Sequence, residues 1–191
     1  MERLVLVTEN RSNTDLLSEC RNGSREAMRT LYLENQRRVY SIALNFFGGD
    51  SERASDVTQQ VFLKLLKKMD FRGESEFTTW LYRMTVNQCI DESRKSKRFL
   101  NFEDWLGFAE PVTRMSLTDK LHTREISAEV QAVVASLKPK YRLPILLKYV
   151  EGMSYQEIAG VLQCSIGTVS SRLNRGHKLL ATKLGHLRND I

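Results

Sequence analysis

Toward the C-terminal end, a short stretch holds the residue types that read nucleic acid: Gly167, Thr168, Ser170, Ser171, Arg172, Asn174, Arg175 and Lys178. An Arg guanidinium can grip the two acceptors of guanine, and an Asn amide can pair with adenine. Hydroxyls and further cations hold phosphates. At about 100° per residue, Gly167, Ser171, Asn174, Arg175 and Lys178 share one side of a helix. Ile166, Val169, Leu173, Leu180 and Leu184 occupy the other. Thr168 and Arg172 lie on one flank and Ser170 on the opposite flank. An apolar back and a front of small, amide and basic residues suit a helix lying in a DNA major groove.

That helix needs a support, and the preceding residues describe one. Ser154 and Glu157 have the spacing of a capping box, which starts a helix just after Gly152. Ile158, Ala159 and Leu162 give it an apolar side. Ser165 is a suitable cap for the second helix. Two short helices joined by a tight turn form a helix-turn-helix. An isolated amphipathic helix with this front would read as an ordinary solvated surface, but the capped neighbour and the tight turn favour DNA contact.

A second group lies upstream. Phe77, Leu81 and Met84 repeat at helical spacing and face a core. Trp80, Arg83, Asn87, Asp91 and Arg94 form a separate, mostly polar stripe. A planar aromatic beside Arg and Asn suits exposed bases and phosphates, and packing of Trp80 on a neighbouring helix fits its position about equally well. The loop before it, with Arg72, Gly73 and Ser75, can accept a base drawn from the duplex at a cost of a few kcal/mol. Further upstream, Ala54, Val57, Val61 and Leu65 make an apolar stripe. Asp56, Gln59, Gln60 and Lys64 lie away from its centre, where a partner can meet them.

These groups sit in an all-α chain. Of 191 residues only ten are Gly and three Pro, and helical periodicity recurs along most of the sequence. The pattern predicts a short helix after Thr14 and a longer one from Ser24 to Phe47, where Gly48 and Gly49 end it. Others run from Ser51 to about Lys68 and from Ser75 to about Arg98. Residues 99–125 lose periodicity and mix Phe99, Phe102, Trp105 and Phe108 with Glu103, Asp104, Glu110 and Pro111. Helical pattern resumes at Ile126. Pro139 fits a first helical turn, and Pro144 should bend that helix or shift its start. The expected architecture is two small helical domains, 1–98 and 126–191, joined by a flexible linker at 99–125.

Composition narrows the function. Lys and Arg outnumber Asp and Glu by 29 to 23, a formal charge of +6, which favours a polyanionic partner. Cys20, Cys89 and Cys164 are too scattered for a disulfide framework or a metal site, as are His122, His177 and His186. No catalytic motif is present, and no apolar run approaches membrane-spanning length. A cytoplasmic, non-enzymatic protein without cofactor or metal is expected.

Several of these residues also carry a family resemblance. Tyr141 and Arg142, Glu151 and Gly152, Ser154 and Tyr155, Glu157 to Ala159, Gly167 to Val169 and Ser171 to Leu173 resemble the C-terminal domain of extracytoplasmic-function (ECF) sigma factors. In that family this domain reads the promoter −35 element. The resemblance implies −35 contacts for Thr168, Ser170, Ser171, Arg172, Asn174, Arg175 and Lys178. The run from Asp56 to Phe62 resembles the family's segment that docks on the clamp of the polymerase largest subunit. It implies core-polymerase contacts for Asp56, Gln59, Gln60, Phe62 and Lys64. The run from Phe71 to Asn87 resembles the −10 reading and melting segment, implying roles for Arg72, Gly73, Ser75, Trp80, Arg83, Asn87 and Arg94. The resemblance covers about residues 14–185. It implies a sigma factor whose partners are core RNA polymerase, promoter DNA and an anti-sigma factor. The alternative is a helix-turn-helix regulator acting without polymerase.

Overall fold

The computed structural model describes the backbone of residues 13–68, 76–106 and 121–185, and the side chains of 15–67, 76–95 and 128–185. The expected base-accepting loop, with Arg72, Gly73 and Ser75, lies outside the described residues. The described residues form eight helices and no strand: α1 (Asn13–Arg21), α2 (Arg25–Phe46), α3 (Ser51–Lys68), α4 (Phe77–Leu106), α5 (Leu121–Ser136), α6 (Pro139–Tyr149), α7 (Tyr155–Leu162) and α8 (Ile166–Lys183).

Local chemistry sets most of these limits. Ser24 caps α2 by accepting from the Ala27 N–H. The helix stops where Gly48 and Gly49 take positive φ, +65° and +89°. Met28, Leu31, Val39, Ala43 and Phe46 repeat at helical spacing along α2, and all but the partly covered Met28 are buried, as are Ala54, Val57, Val61 and Leu65 of the α3 stripe. Phe77 and Leu81 of α4 join them, with Met84 partly covered.

Three limits differ from the sequence reading. Helix α5 starts at Leu121, five residues before Ile126 and within the expected linker. Helix α4 continues past Arg98 to Leu106, because no glycine or proline stands there to stop it. Helix α6 starts at Pro139 and runs through Pro144 without a shift of its start. The proline removes one helical donor, but it and Leu143, Ile145, Leu146 and Leu147 are all buried. The packing of that face outweighs the lost bond.

The N-terminal and C-terminal helices share one continuous apolar core. Helix α4 packs on α7, and α2 packs on α5 and α6. Arg142 of α6 anchors this seam. It donates to the Ala135 carbonyl, to the Leu137 carbonyl at 2.7 and 3.2 Å, and to the Phe46 carbonyl of α2 at 2.6 Å. Its guanidinium also lies 4.5 Å from the centre of the Phe46 ring. Burial draws its pKa down to about 10. Beside it, a side chain on Gly48 would begin 2.9 Å from the Ala135 Cβ. Gln131 donates to Asn45 at 3.2 Å.

Candidate nucleic-acid interface

The helix-turn-helix is α7 and α8. Both halves of the expected capping box form: Ser154 Oγ accepts from the Glu157 N–H, and the Glu157 carboxylate accepts from the Ser154 N–H at 2.7 Å. These bonds hold the Glu157 carboxyl below its usual pKa. Gln163 takes the left-handed conformation, φ 50° and ψ 50°, and turns the chain between the helices. Ser165 caps α8 by accepting from the Thr168 N–H at 3.1 Å.

On α8, Val169 and Leu173 are fully buried against α6 and α7. Ile166, expected on that apolar side, is half exposed at the helix start. Gly176 is buried instead, because a side chain there would begin 2.7 Å from Ile145 Cδ1. The opposite face presents Ser171, Asn174, Arg175 and Lys178, all exposed. Thr168, Ser170 and Arg172 are half-buried flanks. Thr168 Oγ1 lies 2.9 Å from Ser165 Oγ, and Arg172 Nη1 lies 3.8 Å from Cys164 Sγ. No residue of α8 is acidic, so the only charges on its front are positive, Arg175 and Lys178, as a phosphate-lined groove favours.

The α4 stripe is placed differently. Asn87 and Arg94 are exposed. Arg94 makes only a long pair with Asp91, 4.0 Å. Arg83 is half-buried and turned to α7, where its Nη2 donates to the Gly160 carbonyl at 3.1 Å and its Nε is buried. Tyr82 donates to Glu151 at 2.7 Å. Burial, then the Glu151 carboxylate, raises the Tyr82 pKa above its usual value. Trp80 is half-buried against the core, tilted on Phe77 with ring centres 6.1 Å apart. Arg83 of the stripe therefore faces the helix-turn-helix, while Asn87 and Arg94 open into a cleft between the halves.

A third surface lies between α2 and α3, a groove of about 750 Å³. Asp56 and Gln59 line it, and Phe62 forms its floor, buried and packed edge-on against Tyr32 with centres 4.8 Å apart. Gln60 is exposed outside the groove. Lys64 turns toward α4, where its Nζ lies 2.5 Å from Gln88 Oε1. Sequence reading missed the opposite wall, Tyr32, Gln36, Arg37 and Tyr40 of α2. The signal available was Tyr32 and Leu33, two large apolar residues off the α2 stripe, both exposed.

Residues 31–99 match the Sigma-70 region 2 family, and residues 127–180 match Sigma-70, region 4. The RNA polymerase sigma-H factor of Pseudomonas aeruginosa is 30% identical over 179 residues, covering 86% of this chain and 90% of that protein. The ECF RNA polymerase sigma factor SigW of Bacillus subtilis is 28% identical, covering 90% and 96%. Among solved structures, the sigma factor RpoE in complex with the anti-sigma factor NepR from Bartonella quintana shares the fold. Its TM-score is 0.66 at 22% identity, covering 82% of this chain and 96% of that one.

Proposed function

The chain belongs to the ECF group of RNA polymerase sigma factors, and from that membership we propose how its surfaces divide the work. As a sigma factor it binds core RNA polymerase and directs promoter-specific initiation. The observation that carries the division is the exposed front of α8: Ser171, Asn174, Arg175 and Lys178 all face outward on a helix whose back is fixed by buried Val169 and Leu173. This front reads the −35 element, with Arg175 and Asn174 on base edges and Thr168, Ser170, Arg172 and Lys178 on phosphates and flanking bases.

Asn87 and Arg94, with Arg72, Gly73 and Ser75, take the −10 strand, and Trp80 and Arg83 join them once α7 moves off α4. The α2–α3 groove, with Asp56, Gln59 and Phe62, docks on the polymerase clamp. Gln60 and Lys64 extend that contact beyond the groove. The chain divides into 1–98 and 126–191 with a linker at 99–125, a division supported by where the two family matches fall. The protein acts in the cytoplasm beside polymerase, without catalysis of its own. No helix among the described residues is long and apolar enough to cross a membrane. An anti-sigma factor is its regulator, by analogy with the fold-sharing RpoE, which is solved with one.

Run-off transcription with purified protein, bacterial core enzyme and a promoter library tests the reading. Start-site selection with shared −10 and −35 sequences is the expected result. Specific duplex binding by the free protein, with no effect on core enzyme, would mean a regulator that acts without polymerase.

A further inference from the structure

The seam between the halves encloses a cleft of about 530 Å³. Its cations come from three helices and a turn: Arg94 from α4, Lys138 and Lys140 at the start of α6, and Arg172 from α8. Among the described residues lining it, none is a carboxylate. Asp91, 4.0 Å from Arg94 outside the lining, answers part of one charge, and an anion among the four cations would relieve the repulsion that is left. The first residues of α6, Pro139 and Lys140, line the same space, so the positive end of that helix lies at its wall.

The remaining wall is apolar, from Ile90, Leu143, Pro144 and Leu162. Small-ligand sites commonly enclose about 300–1,000 Å³ and combine apolar walls with a few polar anchors. A bare ion would leave that wall unused. We propose that the cleft binds a small organic phosphate of nucleotide size, its phosphates on the four cations and its ring on the apolar wall. Bound there, it ties α4 to α6 and α8. It holds the halves in their packed arrangement and competes with promoter DNA for Arg94 and Arg172. This rests on the proposed reading only for the last step.

Lys138 and Lys140 are not among the residues assigned above to promoter or polymerase, so they separate the two claims. Calorimetric titration of the full chain in EDTA would use ATP, GTP, inorganic tripolyphosphate and guanosine. The expected result is one nucleoside triphosphate per chain, bound about tenfold more tightly than tripolyphosphate. Binding should weaken about tenfold in Lys138→Ala/Lys140→Ala, which keeps its circular dichroism and its run-off transcription. Hydrogen exchange in α4, α6 and α7 should slow with ligand in the wild type and not in the variant. If the double variant does not fold, Lys140→Glu alone should show the same loss. Equal affinity for tripolyphosphate, no binding, or binding unchanged in the lysine variants would overturn the proposal. Loss of promoter selection by the wild type would overturn the sigma reading and leave the titration result standing.

Discussion

Replacing Arg142 by Leu should loosen the protein and at the same time free it for DNA. The guanidinium supplies donors to three carbonyls, Ala135, Leu137 and Phe46, and covers the Phe46 ring. The first two bonds tie α5 to α6, and the contacts with Phe46 cross the seam. A charge-assisted bond contributes about 1.5–3 kcal/mol, and a partly covered cation–π contact about 0.5–2 kcal/mol. Against this stands the cost of burying the charge, which draws the pKa down to about 10 and which Leu abolishes. The net loss should be about 2–4 kcal/mol, roughly half of it at the seam. For a chain of this size that lowers the melting temperature by about 5–10 °C. On the proposed reading Arg83 meets DNA only after α7 leaves α4, so a seam weakened by about 1.4 kcal/mol should raise promoter-complex formation by holoenzyme roughly tenfold at limiting concentration. Melting by circular dichroism and fluorescence anisotropy on promoter DNA read the two effects. A melting temperature within a degree of wild type, or promoter binding that falls along with stability, would show the reasoning to be wrong.

Arg175→Ala should leave the melting temperature unchanged, since the residue is exposed and opposite the buried face, and should cost about 1–3 kcal/mol at the −35 element. A uniform loss across −35 variants in a binding selection would mean phosphate contact only. Asn87→Ala should impair strand opening in permanganate footprints and recover on a pre-melted bubble. Trp80→Ala should also lower stability, because the partly buried ring packs against the core beside Phe77, so a bubble template should rescue it only in part. Tyr82 gives a pH dependence. Its raised folded pKa means that the unfolded phenol, near 10, ionises first. The stabilisation is complete below that pH and is lost as pH rises from 10 toward the higher folded value. Tyr82→Phe should flatten this alkaline loss in urea titrations, and an unchanged slope would assign it to other groups.

Most helices were legible because their signals are local. Ser24, Ser154 with Glu157, and Ser165 each make the cap bond their spacing implies. The buried stripes of α2 and α3 follow from period alone. The end of α4 was not legible, since a loss of apolar period near Arg98 does not stop a helix that nothing breaks. The front of α8 was readable, but Ile166 was placed inward because the helical period does not say where along α8 the support from α6 and α7 begins. Arg83 and Trp80 show the larger limit. Their stripe is separate from the core face, as the pattern indicates, yet α7 covers part of it. Nothing in residues 77–94 announces a partner that arrives from more than sixty positions later. The α2 wall of the groove was missed for a related reason: Tyr32, Gln36, Arg37 and Tyr40 carry no motif and gain meaning only beside α3.

The contact between Gly48 and Ala135 constrains how such a protein can be rebuilt. Gly48 needs its positive φ and has no side chain to give up, so only position 135 can adjust. Ala135 Cβ stands 2.9 Å from where a side chain on Gly48 would begin, so a longer side chain at 135 that extended toward Gly48 would press on the α2 terminus from the other half. Grafting a foreign C-terminal half onto residues 1–98 would therefore succeed or fail on a side chain distant from both reading faces. A chimera carrying valine or leucine at the equivalent of Ala135 would keep both recognition surfaces and lose the resting arrangement. It would behave as a sigma factor that is always open.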